Sequence, residues 1–234
     1  MKVCVIGDIH GTDKFIKCYE NILKNDNDCE KIIVLGDHFD PYTHIDINTM
    51  VERYDTFIEC CKKDSRIISI LGNHDHESYI TSGCTNRTAR DRNTHRIISN
   101  KISENLPNTY LVYKIGTWLF SHAGVSQAWL DYNEEYKEEL LSNKKGWSEN
   151  DLEVLCLFYD ADFSKTGNHK LQGCTWIRPQ ALVDNLPVGY NQVVGHTQVE
   201  KMVNLKSVCP EGSMSVNVWL VDNQRDPEYL VLTI

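Results

Sequence analysis

Five short segments of the chain carry side chains that metal and phosphate chemistry can use. They are Gly7-Asp8-Ile9-His10-Gly11, Gly36-Asp37-His38-Phe39-Asp40, Gly72-Asn73-His74-Asp75, Ser121-His122-Ala123-Gly124 and Gly195-His196-Thr197. Singly, an Asp or His in such a place is a turn former or a helix cap. Five sets in one chain are hard to explain as turns. Carboxylate, amide and imidazole together suit Mn, Fe or Zn better than Ca or Mg alone. Each set adjoins a Gly, which tolerates unusual backbone angles and close approach of another chain segment.

Hydrophobic patterning says what positions them. Lys2 to Ile6, Lys31 to Leu35 and Arg66 to Leu71 read as buried strands, and each runs into one of the first three segments. Thr12 to Asn25 reads as a helix with Phe15, Ile16, Tyr19, Ile22 and Leu23 on one stripe, and Ile47 to Lys63 as a second helix. Strand alternating with helix indicates parallel strands covered by helices. In such sheets ligands bind outside the carboxyl ends of the strands. The rest is richer in strand. Tyr110 to Tyr113 and Thr117 to Phe120 suggest a hairpin around Lys114 to Gly116, and the second of these runs into His122. Gln192 to Val194 runs into His196. Lys201 to Leu205, Val216 to Val221 and Tyr229 to Thr233 are further strands, with Pro227 at a turn between the last two. Asp131 to Asp151 reads as a solvated helix.

The chain has 234 residues, long enough to bury a core without disulfides and read as a single domain over 1–234. No apolar run approaches the roughly 20 residues of a membrane span, and the N-terminal residues lack the apolar core of a signal peptide. The nine cysteines include no CxxC pair, and Cys4, Cys60, Cys61 and Cys156 sit among apolar residues like buried thiols. These features imply a reducing, cytoplasmic setting. A net charge of −9 makes the surface a poor general lure for nucleic acid or anionic membrane.

In this order, GDIHG, GDHFD, GNHD, SHAG and GHT resemble the calcineurin-like metallophosphoesterases, and within them the phosphoprotein-phosphatase branch with its bacterial and phage serine/threonine phosphatases and dinucleoside tetraphosphatases. The resemblance implies an α/β fold, a central β-sandwich flanked by helices, with a dinuclear metal site at the strand ends. It implies Asp8 and His10 as ligands of a first metal, Asp37 as the bridge, and Asn73, His122 and His196 as ligands of a second. It implies His74 as the general acid, supported by Asp40. The reaction so implied is hydrolysis of a phosphate ester by a hydroxide held between two divalent cations, Mn foremost, with Fe, Zn or Ni as alternatives. The substrate would be a phosphoprotein or a small phosphomonoester. A dinucleoside polyphosphate, a nucleic-acid end, or no substrate at all in a metal-binding scaffold, are the alternatives.

The sequence departs from the branch at two places, the second segment and the third, which reads GNHDHE without an arginine close behind it. The second segment continues Asp40-Pro41-Tyr42 where an arginine is expected after the Asp. Arg178, in Thr175-Trp176-Ile177-Arg178-Pro179, resembles a replacement that could grip phosphate bidentately. The cluster of Arg87, Arg90, Arg92 and Arg96 reads as a solvated face. Gln198 stands where cyclic-nucleotide and nuclease members place a second histidine, which favours the phosphatase branch and leaves the first metal with fewer protein ligands. His38 reads as a surface or packing residue near the site, and His44, His76, His95 and His169 as surface histidines.

Overall fold

The computed structural model describes residues 1–80, 92–156, 167–208, 215–223 and 227–234. Two five-stranded sheets stack face to face. In the first, β1 (Lys2–Ile6), β2 (Lys31–Val34), β3 (Ile67–Ile70) and β4 (Thr109–Tyr110) run parallel, and β10 (Leu230–Thr233) pairs antiparallel with β1. The second has the order β5 (Val112–Ile115), β6 (Trp118–Ser121), β7 (Asn191–Val194), β9 (Ser215–Leu220), β8 (Val203–Val208), with β6, β7 and β9 mutually parallel. The helices are α1 (Lys14–Asn25), α2 (Ile47–Lys63), α3 (Asn73–Ile80), α4 (Arg92–Asn105), α5 (Gln127–Tyr132), α6 (Glu134–Leu141), α7 (Glu149–Leu155) and α8 (Pro179–Val183).

The first sheet is buried on both faces, which is why its strands read as unbroken apolar runs. Val3, Val5, Ile33, Leu35, Ile68 and Ile70 meet Phe120, Val193 and Val221 between the sheets. The alternate residues Cys4, Ile6, Ile32 and Val34 pack under Phe15, Ile22, Met50 and Phe57 of α1 and α2. The stripe expected on α1 is present, except that Leu23 is exposed.

Three elements differ from the sequence reading. Tyr110 belongs to the first sheet and Val112 to the second, so the chain crosses between sheets at Leu111, which is fully buried. The hairpin itself forms from Val112 and Trp118 onward. Likewise β9 and β10 lie in different sheets, so Pro227 lies on a crossing between layers and not in a hairpin turn. The solvated helix is three shorter ones, α5, α6 and α7. Asn143, at φ 62, and Gly146 break the last two apart, and Lys145 bridges back to Tyr110. Cys4 and Cys156 are buried as expected, while Cys60 and Cys61 are half-buried on α2.

Candidate metal centre

The carboxyl ends of β1, β2 and β3 in one sheet and β6, β7 and β9 in the other deliver their following residues to one edge of the sandwich. The strand-to-loop corners are tightly made. Among the described residues five non-glycines have positive φ, and four of them lie here: His10 at 47°, Asp37 at 50°, Asp40 at 64° and His196 at 59°. Such angles cost about 1–2 kcal/mol each and persist where surrounding contacts over-determine them. Those contacts are visible. His10 N–H donates to the Asp37 carbonyl at 2.6 Å and Gly11 N–H to the His38 carbonyl at 2.7 Å, which ties the first loop to the second. Two glycines are required by close approach. A Cβ at Gly72 would run into Asp37 Oδ1, and one at Gly195 into Asp8 Oδ1.

All six side chains expected to hold metal come together, none more than 8% exposed. Asp37 Oδ2 is central. It lies 3.7 Å from His10 Nε2 on one side and 3.5 Å from His122 Nε2 on the other. Asp8 Oδ2 completes the first group at 3.8 Å from His10 Nε2. Asn73 Oδ1 completes the second, 2.9 Å from both His122 Nε2 and His196 Nδ1. Potential ligand atoms of Asp8, Asp37 and His122 all lie within 4.8 Å of one another.

Backbone carbonyls set which imidazole nitrogen faces inward. His122 Nδ1 donates to the Leu35 carbonyl at 2.7 Å, and His10 Nδ1 lies 3.0 Å from the Asp40 carbonyl. In the neutral rings the lone pair is therefore on Nε2, the nitrogen turned to the carboxylates. His10 Nε2 is buried with no hydrogen-bond partner. A sealed lone pair facing two carboxylate oxygens is an arrangement that a cation satisfies and nothing else present does. The donor set fits divalent metal.

Electrostatics agree. Burial pushes the Asp37 carboxyl up to about 7, against the pull of the His74 ring. Burial and then Asp222 raise Asp8 well above the carboxylate range. Burial, reinforced by the neighbouring His74, lowers His10 to about 3, and burial with His122 lowers His196 far below its ordinary value. His10 and His196 are thus neutral and ready to ligate, while burial and crowding make Asp8 and Asp37 hold their protons more tightly than an ordinary carboxyl.

His74 and Asp40 also meet. Asp40 Oδ2 lies 2.8 Å from His74 Nδ1, and His74 Nε2 turns to the cradle, 4.0 Å from Asp37 Oδ2. Arg178 reaches in from the residue before α8. Its Nη1 donates to the His196 carbonyl and to Thr197 Oγ1, both at 3.2 Å. Burial lowers its pKa, while Tyr42, Asp8, Asp222 and Asp37 pull the other way.

Several residues at the site were not singled out by sequence. Asp222, fully buried after β9, is a polar side chain at a sixth strand end. Lys14 Nζ lies 3.9 Å from it and donates to the Asn223 carbonyl at 2.8 Å. The signal was an Asp directly after a strand, without the neighbouring Gly or His of the other five. Asp75 braces the second and third loops, accepting from His38 N–H at 2.8 Å and Gly72 N–H at 3.1 Å. Burial opposes its ionisation, but the His38 ring and these donors hold its pKa low. His38, paired with Asp75 and packed on Tyr54 and Phe57, has the packing role expected of it. His76 is half-buried, and burial lowers it to about 4. His44 is exposed, and His95 and His169 are half-exposed. Arg87 and Arg90, and the Arg92 side chain, lie outside the described residues, and Arg96 is exposed on α4.

A family model for calcineurin-like phosphoesterases matches residues 1–200. No curated protein matches the chain. Among solved structures, a cold-active protein tyrosine phosphatase superposes with a TM-score of 0.62 at 19% identity, covering 95% of this chain and 69% of that one. A second structure of such an enzyme, from the psychrophile Shewanella sp., gives 0.57 at 18% identity over 95% and 71% of the two chains. A metallophosphoesterase from Sphaerobacter thermophilus gives 0.52 at 15% identity over 100% and 84%. At these identities the likeness is one of fold.

Proposed function

The chain belongs to the calcineurin-like phosphoesterases, and on that premise we propose that it is a phosphomonoesterase acting on a phosphoprotein or a small phosphate ester. Metal-dependent hydrolysis of phosphate esters is its chemistry. We assign a first divalent cation to Asp8, His10 and Asp37, and a second to Asp37, Asn73, His122 and His196, with manganese as the best activator. The observation that carries this is Asp37 Oδ2, one oxygen between two imidazole lone pairs. When bound, a pair of cations there supplies a water of lowered pKa and neutralises charge that develops on the phosphoryl oxygens.

The chain's own groups do the rest. The Leu35 and Asp40 carbonyls hold His122 and His10 in the ligating tautomer. Asp40 orients His74 through Nδ1 and favours its protonated form, so Nε2 carries the proton that the leaving oxygen needs. Arg178, anchored on His196 and Thr197, offers its guanidinium to the phosphate. No helix among the described residues is long and apolar enough to cross a membrane.

The test is a substrate screen on metal-stripped and reconstituted protein. The reading expects turnover of p-nitrophenyl phosphate and phosphopeptides that appears with Mn and is lost with chelator. Preference for the bis ester, or turnover indifferent to chelation, contradicts it.

A further inference from the structure

The segment after Asp40 puts an aromatic side chain, not an arginine, at the mouth of the cradle. Tyr42 is 44% exposed, yet its ring lies 4.5 Å, centroid to centroid, from that of His10 at an interplanar angle of 58°. The His74 ring lies against the same imidazole, at 5.3 Å. Tyr42 and His74 therefore both lie against one ring, which places Tyr42 at the same mouth as the proton donor. The tyrosine is not on a loose tether. Phe39 is fully buried against Tyr54, Asp40 is held at φ 64°, and the buried Pro41 fixes its own φ. A single exposed aromatic is ordinary on a protein surface; one anchored next to the proton donor of the reaction is placed to meet what leaves.

We propose that Tyr42 is a specificity-determining residue whose ring stacks on the departing alcohol, and that the preferred substrates are phosphomonoesters of aromatic alcohols such as a tyrosyl side chain. This rests on the phosphomonoesterase reading and deepens it. A phosphoserine leaves a methylene beside Tyr42, whereas a phosphotyrosine leaves a ring that can pack face-offset or edge-on against it.

The test uses one peptide carrying either phosphotyrosine or phosphoserine, with Mn-loaded wild type, Tyr42→Ala and Tyr42→Phe, metal content verified in each. The ratio of kcat/KM, phosphotyrosine over phosphoserine, falls roughly tenfold in Tyr42→Ala, mainly through KM, since an aromatic pair accounts for about that factor. In Tyr42→Phe the ratio stays within about twofold, because the ring remains. An unchanged ratio in Tyr42→Ala overturns the proposal. So does an equal loss on both peptides, which would make Tyr42 a phosphate contact, and so does a Tyr42→Phe loss as deep as the alanine one, which would assign the effect to the hydroxyl. A diadenosine tetraphosphate arm covers stacking of a nucleobase: a Tyr42→Ala loss confined to it also overturns the proposal. Failure of wild type to hydrolyse either phosphopeptide with Mn would count against the phosphomonoesterase reading itself, which separates the two failures.

Discussion

The cradle and its rim are built on opposite principles. The six candidate ligands are between 0% and 8% exposed, held at strand ends, with four backbone angles in or beside the cluster in the left-handed region. The rim is open. The His74 side chain is 23% exposed, Tyr42 44%, and Arg178 arrives from a segment just before α8. Burial and the strained corners of the cradle hold the donor atoms in place before any ligand arrives, which is what charge stabilisation in a transition state requires. Openness at the rim leaves room for substrate. The difference implies that changes in the cradle abolish chemistry, whereas changes at the rim redistribute it among substrates.

The largest effect should come from the one atom shared by both halves of the cradle. Asp37→Asn is expected to lower kcat on the order of 10³-fold or more at saturating Mn, and to lower it more than His196→Asn, which touches one half only. Equal or milder loss for the Asp37 variant would mean that the bridge is misassigned and the cradle is not two-sided.

Next is His74, on the rim with Nε2 turned to the cradle. His74→Asn should retain metal, because Asn73 and not His74 faces His122 and His196. Its kcat on phosphoserine peptide should fall about 10²-fold or more, and less on p-nitrophenyl phosphate, whose leaving group needs little protonation. Asp40→Asn should show the same selectivity in weaker form. Loss of metal in His74→Asn would move that residue into the cradle.

A pure rim change should be milder. Arg178→Lys keeps the charge but not the fork, so KM for phosphate esters should rise roughly tenfold with kcat changed far less. Steady-state kinetics on p-nitrophenyl phosphate decides it; a fall in kcat with KM unchanged would place the arginine's effect in the transition state alone.

The smallest effect concerns protons. His10 is neutral above about pH 3, whereas Asp37 holds its proton up to about pH 7. Metal must displace that proton, so affinity should rise as pH increases toward 7 and level off above it. The sign follows from the raised carboxyl: below 7 the metal-free site binds the proton that metal expels. Calorimetry in buffers of different ionisation heat at pH 6 and pH 8 should find proton release at the lower pH and little at the higher. Release at neither would mean that the cradle carboxylates are already ionised.

The sequence made the cradle far more legible than the rim, and the reason is geometric. A parallel strand ends where its sheet ends, so Asp8, Asp37 and Asn73 could be placed together from three apolar runs alone, and His122 and His196 from two more. Asp222 follows the same rule and was missed, because Val221-Asp222-Asn223 lacks the adjacent glycine that marked the others. Rim residues obey no such periodicity. Tyr42 reaches His10 through a bend after Asp40, and Lys14 reaches Asp222 across 208 positions of chain; neither contact leaves a trace in spacing. The fold was readable in its alternating first half. It was misread where the chain changes layer, at Leu111 and before β10, since a strand's apolar pattern is the same whichever sheet receives it.

The central claim is that one carboxylate, Asp37, joins two metal sites. The direct measurement is metal content per chain after reconstitution with Mn and removal of free ion, for wild type and Asp37→Asn side by side. The account predicts about two Mn per wild-type chain, close enough to couple magnetically in the electron paramagnetic resonance spectrum, and loss of that coupling in the variant. A wild-type stoichiometry that saturates at one, or two uncoupled ions indifferent to Asp37→Asn, would contradict it.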